Sequence, residues 1–164
     1  MEMIEGKSKE DIEFLWNSYH ENKEGSIGLS VPGIDVTNVL ERAAENSFFI
    51  QPIFREEGFF NLMVQFQQKY FLLCLLEEYQ QNPAQANSLI TLSIFDDLVN
   101  DHDLGLVRGD IINKGITEDE GRKIVTNLFD IYAKDDSYED VIAFNKKPDT
   151  FDFNDFISKQ KQKW

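Results

Sequence analysis

The chain has 164 residues, one ordinary domain by length, and a compact chain of that size buries about 70% of its unfolded surface without disulfide or metal staples. A hydrophobic content of 41%, with 14 Phe, 5 Tyr and 2 Trp, excludes a globally disordered chain, and 9 Gly and 4 Pro exclude a collagen-like or linker-dominated one. Thirty acidic residues against 16 basic ones leave a net charge of −14, which argues against nucleic acid and anionic membrane surfaces, because Lys and Arg grip both; the excess suits a soluble protein or a partner with basic patches.

Cys74 is the only cysteine, so no intrachain disulfide forms and the compartment need not be oxidising. The apolar run at residues 71–76 is too short to span a bilayer. Residues 1–9 lack the features of a secretory signal and the Arg-rich, acid-poor character of a transit peptide, so no organelle address is legible in them.

Ser8 reads as a helix N-cap with Asp11 three residues on, and Ile12, Leu15, Trp16 and Tyr19 then fall on one helical face. His20 ends that helix, where a cation favours the dipole, and Gly25 and Gly28 follow. Residues 27–31 suit a short strand. Pro32 and Gly33 open a second helix with the stripe Val36, Val39, Leu40 and Ala43, ending at Asn46 or Ser47.

Residues 48–54 are aromatic and β-branched, hence a strand, and Pro52 inside it implies an edge position or a bulge. Glu56, Glu57 and Gly58 form a hairpin turn. Phe60, Leu62, Val64 and Phe66 then alternate with Asn61, Met63, Gln65 and Gln67, the period of a strand with one wetter face. Gln68 and Lys69 turn the chain into an apolar central strand over residues 70–76. After Asn82 and Pro83, the alternation of Ile90, Leu92 and Ile94 marks another strand.

Residues 100–103 read as a charged loop, and residues 104–112 as a strand interrupted by Gly109. Thr117, with Glu120 three residues on, has the capping-box pattern before a helix whose core face is Ile124, Leu128, Ile131 and Tyr132. Ser137 starts a further helix through Val141 and Phe144, stopped by Pro148. Phe153, Phe156 and Ile157 suggest a last short helix. The layout is α+β: a central, mostly antiparallel sheet flanked by N- and C-terminal helices, in a single domain over residues 1–158 with a frayed, disordered basic tail at 159–164.

Few residues ask for chemistry. Gly6, Lys7 and Ser8 resemble the end of a phosphate-binding loop, but Met1 stands where the loop needs its first Gly. Asp96, Asp97, Asp101, His102 and Asp103 offer oxygens to a hard cation, yet an EF-hand counted from Asp97 meets His102 and Arg108 where Gly and Glu belong; a solvated loop is the better reading. One Cys and two His are too few soft ligands for zinc. Cys74, inside an apolar strand, reads as a buried, inert thiol. The aromatic load is the unusual feature: Phe48, Phe49, Phe54, Phe59 and Phe60 crowd one hairpin, and an exposed share of them would mark a protein-binding site.

Several segments, in order, resemble the mitochondrial ATP synthase assembly factors that chaperone the catalytic β subunit. They are Asp11-Ile12-Glu13-Phe14-Leu15-Trp16, Phe48-Phe49-Ile50-Gln51-Pro52-Ile53-Phe54-Arg55, the strand end Leu76-Glu77-Glu78-Tyr79, Gly105-Leu106-Val107-Arg108-Gly109-Asp110-Ile111, and Phe144-Asn145-Lys146-Lys147-Pro148-Asp149-Thr150-Phe151-Asp152-Phe153. Together they reach from Asp11 to Phe156.

The resemblance implies a chaperone without catalytic residues, metal or cofactor. Its protein client is the free β subunit in the mitochondrial matrix, shielded until the α subunit replaces it. It implies neither nucleic-acid nor membrane binding, and the net charge of −14 favours a monomer. Client contact is expected from Phe49, Ile50, Pro52 and Phe54 of the aromatic strand, and from Phe144, Asn145, Pro148, Phe151 and Phe153. The second set has an equal claim to docking the C-terminal segment on the core, with Asn145 bonding backbone. Two other readings stay open: a small metal-dependent hydrolase using the Asp96–Asp103 acidic cluster, and a peptide adaptor that adds a strand at the Pro52 edge.

Overall fold

The computed structural model describes residues 6–113 and 115–164, so the reading of residues 1–9 for an address, and of Met1 for a phosphate loop, falls mostly outside the described residues. Six strands form one antiparallel, curled sheet: β1 (Ser26–Pro32), β2 (Phe48–Arg55), β3 (Gly58–Gln67), β4 (Tyr70–Leu75), β5 (Ser88–Phe95) and β6 (Leu104–Ile111), in the order β1-β6-β5-β4-β3-β2. The helices are α1 (Lys9–Glu21), α2 (Gly33–Glu45), α3 (Leu76–Gln81), α4 (Val99–His102), α5 (Glu118–Ala133), α6 (Asp135–Lys146) and α7 (Phe153–Lys161). The fold is α+β, as the element pattern predicts.

Register assigns the two faces of the sheet. Phe49 pairs with Val64, Val64 with Leu73, Leu73 with Ile90 and Ile90 with Ile111, so these side chains share one face. That inner face carries the main core, covered by α2, α5, α6 and α7. Gly109 shows how closely the layers meet: a Cβ there would lie 2.4 Å from Val125 Cγ2 of α5. The strand is not interrupted at Gly109, which pairs in register with Ile27 and Leu92; glycine serves the close approach of the helix.

The outer face is buried at Ile50, Met63 and Cys74 of β2, β3 and β4, and again over β6 and β5. There α1 lays Ile12 and Trp16 over Leu98, Leu104, Leu106 and Phe95, a second small core above β6 and β5. Trp16 Nε1–H donates to the Val107 carbonyl (3.3 Å). His20 is buried over Gly28 of β1, its Nδ1–H donating to the Trp16 carbonyl (2.7 Å). The inward stripe of α1 is therefore Ile12, Trp16 and His20, not the expected Ile12, Leu15, Trp16 and Tyr19.

Four further readings change. The segment from Leu76 to Tyr79 opens α3 rather than ending a strand. Of residues 100–103, the first three belong to one turn of helix, α4, which Asp103 closes in the left-handed region (φ 49°). α6 begins at Asp135, and Ser137 lies in its first turn, with its hydroxyl bonding the Asp130, Ile131 and Lys134 carbonyls. The tail is helical through Lys161: Gln160 is buried, Lys159 pairs with Asp140 and Asp155, and Trp164 packs on Phe54. Those contacts outweigh the fraying that a Lys- and Gln-rich segment suggests.

Candidate binding surface

β2 is an edge strand, as Pro52 requires. Phe66 N–H donates to the Ser47 carbonyl (2.8 Å), and the alternation of an antiparallel ladder then turns the backbones of Phe48, Ile50, Pro52 and Phe54 toward the open edge. The first of these is occupied by a side chain. Asn145 of α6 accepts from Phe48 N–H (3.2 Å) and donates from Nδ2 to the Phe48 carbonyl (2.6 Å) and to the Val141 carbonyl (2.8 Å). At the third, Pro52 has no N–H to offer. An incoming strand would therefore find donors only at Ile50 and Phe54, which weakens the strand-addition reading.

The aromatic residues divide into two groups. Phe49 is fully buried, and Phe144, Phe151 and Phe156 meet it edge-on with ring centroids 5.5, 6.0 and 5.0 Å away. Ile50 and Pro52 are buried as well. Phe144 and Phe151 are half-buried in this cluster, so the C-terminal segment docks on the core through them. Phe54 and Phe153 are the aromatics of the predicted set beside a second group at the hairpin tip. There Phe59 is 45% and Phe153 38% exposed, with ring centroids 6.4 Å apart, and Phe54 touches both Phe59 and Trp164. Pro148 is exposed. The alternation of β3 gave no separate signal for Phe59, because its exposure follows from the curl of the hairpin tip.

Arg55 ends the same strand in a different role. Its guanidinium makes a two-pronged bridge to Glu120 (Nε to Oε2 2.8 Å, Nη2 to Oε1 3.0 Å) and donates to the Gly115 carbonyl (2.7 Å). Glu120 also closes the capping box of α5 with Thr117. Arg55 thus ties the aromatic hairpin to the start of α5. The bond from Arg55 holds the Glu120 carboxyl below the usual carboxylate range.

The acidic segment folds apart from this site. Asp96 pairs with Lys69 (2.8 Å), and among the described residues no three His, Cys, Asp or Glu side chains converge as a metal-holding group. Cys74 is buried on the outer face of β4; burial, with the nearby Glu78 charge, pushes its thiol up. A cleft of about 300 Å³ at the β1 edge is lined by Asn17, His20, Glu21, Gly28 and Arg122, and a shallower one of about 540 Å³ by Phe54, Arg55, Glu120, Lys123 and Trp164.

Part-exposed aromatics beside a blunted sheet edge are surface of the kind at which proteins meet. The profile of the family described as ATP11 protein matches residues 1–157, and the chain belongs to that family, the assembly factors of the ATP synthase catalytic sector. Its role lies in ATP synthase assembly, through binding of ATP synthase subunits. No curated protein matches the chain.

Proposed function

We propose that this protein is an assembly chaperone for the catalytic β subunit of ATP synthase, working in the mitochondrial matrix. It binds free β over the surface that α later occupies and leaves when α and β pair. The family match over residues 1–157 carries this reading. The hairpin tip supports it: Phe54, Phe59 and Phe153 offer apolar surface on a rigid base, held by Arg55 to α5 and by Asn145 to α6. Pro148 is the remaining exposed apolar member of the predicted set.

The protein acts without hydrolysing ATP and without a cofactor. Release follows from mass action, since a tighter α–β contact displaces the chaperone from the shared surface. A net charge of −14 opposes self-association, so the working form is a monomer.

Size-exclusion chromatography with light scattering tests the assignment. A stoichiometric complex with isolated β, absent with isolated α and dissolved when α is added, is the expected result. Binding to α alone, or to neither subunit, overturns it.

A further inference from the structure

The two edges of the sheet end differently. The β2 edge is blunted by Asn145 and Pro52. At the β1 edge, Ile111 N–H donates to the Gly25 carbonyl (2.8 Å), and Ser26 pairs in register with Asp110. The alternation of an antiparallel ladder then turns the backbones of Ile27, Leu29 and Val31 toward β6, and those of Ser26, Gly28, Ser30 and Pro32 toward the open side. Ser26 N–H donates to the Lys23 carbonyl (3.3 Å), and Pro32 has no N–H. Between them, Gly28 and Ser30 each keep an outward N–H and C=O, which no turn or loop bond among the described residues reaches.

These two residues line the cleft of about 300 Å³ at this edge. One wall is α1 on the outer face, with Asn17, His20 and Glu21; the other is α5 on the inner face, with Arg122. Packing fixes the two sides. A Cβ at Gly28 would lie 2.6 Å from the His20 ring, and one at Gly121, next to Arg122, would lie 2.9 Å from Ile27 Cδ1 on the inner face.

Glu21 and Arg122 are the charged residues of the lining beside the buried His20. Both are exposed, and among the described residues neither forms an ion pair, with each other or with a third group. The charged groups around them are engaged or stand outside the lining. Arg108, opposite Gly28 on β6, bonds Asp110; Glu118 accepts from Gly25 N–H; Lys123 donates to the Trp164 carbonyl. Lys23 lies over the Tyr19 ring, and Glu13, Glu24 and Asp119 do not line the cleft. His20 Nδ1–H donates to the Trp16 carbonyl, which leaves Nε2 as an acceptor; it is buried, and nothing among the described residues donates to it. The α1 wall thus presents acceptors and the α5 wall a cation.

A short stretch of open ladder between walls of opposite charge is complementary to an extended peptide. Its backbone makes four hydrogen bonds, to the N–H and C=O of Gly28 and of Ser30, and its side chains alternate between the walls. A residue that faces α1 meets Glu21, and its neighbour in sequence meets Arg122. The matching segment therefore carries a basic and an acidic residue at adjacent positions. The net charge of −14 disfavours a second copy of this chain as the occupant.

We propose that the β1 edge takes an extended segment of the client subunit as a seventh strand, with a basic side chain on Glu21 and the adjacent acidic side chain on Arg122. That the client is β rests on the chaperone reading above. The contact lies at the opposite edge of the sheet from the hairpin tip, so the two bind different parts of the client.

The test uses the full chain with isolated β subunit. Ser30→Pro removes an outward N–H and leaves the β1–β6 ladder intact, as proline is tolerated on an edge strand; Ser30→Ala keeps that N–H. Ser30→Pro should bind β about 10-fold more weakly and Ser30→Ala within about 2-fold of wild type. Hydrogen exchange of Gly28 and Ser30 amides should slow about 10-fold or more in the wild-type complex. Equal binding by Ser30→Pro, or unchanged exchange at both amides, overturns the added strand and leaves the chaperone reading in place. Arg122→Glu, at an exposed position, gives the same readout should Ser30→Pro fail to fold: it too should weaken binding, and binding equal to wild type overturns the assigned wall. The second probe is an extended peptide of about eight residues with Lys and Asp at adjacent central positions, which reports on the edge even if wild type binds no β. Saturable amide shifts at Gly28 and Ser30, reduced in Arg122→Glu and weaker for a peptide with Lys and Asp two positions apart, support the proposal. No saturable shift, or equal binding of both peptides, overturns it.

Discussion

Replacing Asn145 by Ala separates an anchor of the fold from a contact to the client. The Asn145 amide makes three hydrogen bonds, two of them to Phe48 N–H and C=O on the edge strand and one to the Val141 carbonyl. Each net bond contributes about 0.5–1.5 kcal/mol, and the freed Phe48 groups sit where water reaches them, which keeps the loss near the low end. The Val141 carbonyl lies on the helix ladder and adds little. The expected cost is about 1–2 kcal/mol, or a fall in Tm of about 3–6 °C for a chain of this length. Asn145→Asp should cost more: a carboxylate still accepts from Phe48 N–H but presents oxygens to two carbonyls and adds negative charge at the C-terminal end of α6. Thermal melts with a urea series at constant slope read both variants. An Asn145→Ala protein that melts within about 1 °C of wild type, with weakened client binding, would refute the anchoring role.

Further perturbations follow from the same contacts. Glu120→Gln should cost about 1 kcal/mol at neutral pH, discounted because Arg55 is half exposed. The folded carboxyl sits below its ordinary value of 4.5, so its stabilisation is complete above that value and lost as pH falls through the folded pKa. The urea-stability gap between Glu120→Gln and wild type should therefore close below pH 4.5; an unchanged gap there contradicts the Arg55 pairing. Gly109→Ala places a Cβ 2.4 Å from Val125 Cγ2 and should destabilise by about 1–3 kcal/mol, with partial recovery when Val125→Ala is added, measured as a double-mutant cycle. Cys74 is buried with a raised thiol pKa, so an aromatic disulfide reagent should modify it at the rate of protein opening and not in a rapid initial phase.

Strands were more legible in the sequence than surfaces. The β2–β3–β4 meander could be read because alternation, turn residues and Pro52 each specify backbone geometry locally. The capping box at Thr117 and the stripe of α2 are local in the same sense. α1 was readable as a helix but not in its rotation, because Ile12–Trp16–His20 and Ile12–Leu15–Tyr19 share a boundary on the wheel. Burial of His20 against Gly28 decided it, a contact between residues on different elements. α3 was missed because Glu and Gln next to an apolar strand carry no periodicity in so short a segment. The aromatic motifs presented the same difficulty. Phe49, Phe144 and Phe151 resemble a binding signature, yet they form a core cluster, while Phe59, Leu15 and Tyr19 stand exposed. Composition shows that aromatics are plentiful; only the fold shows which of them a partner can reach.

The most direct test of the chaperone reading is light scattering of denatured β subunit diluted into buffer without ATP, in the presence of equimolar full-length protein, with α subunit as the parallel client. The account predicts suppressed aggregation of β and not of α, and loss of the chaperone from β when α is added afterwards. No suppression, or equal suppression of β, α and an unrelated unfolded protein, would contradict it.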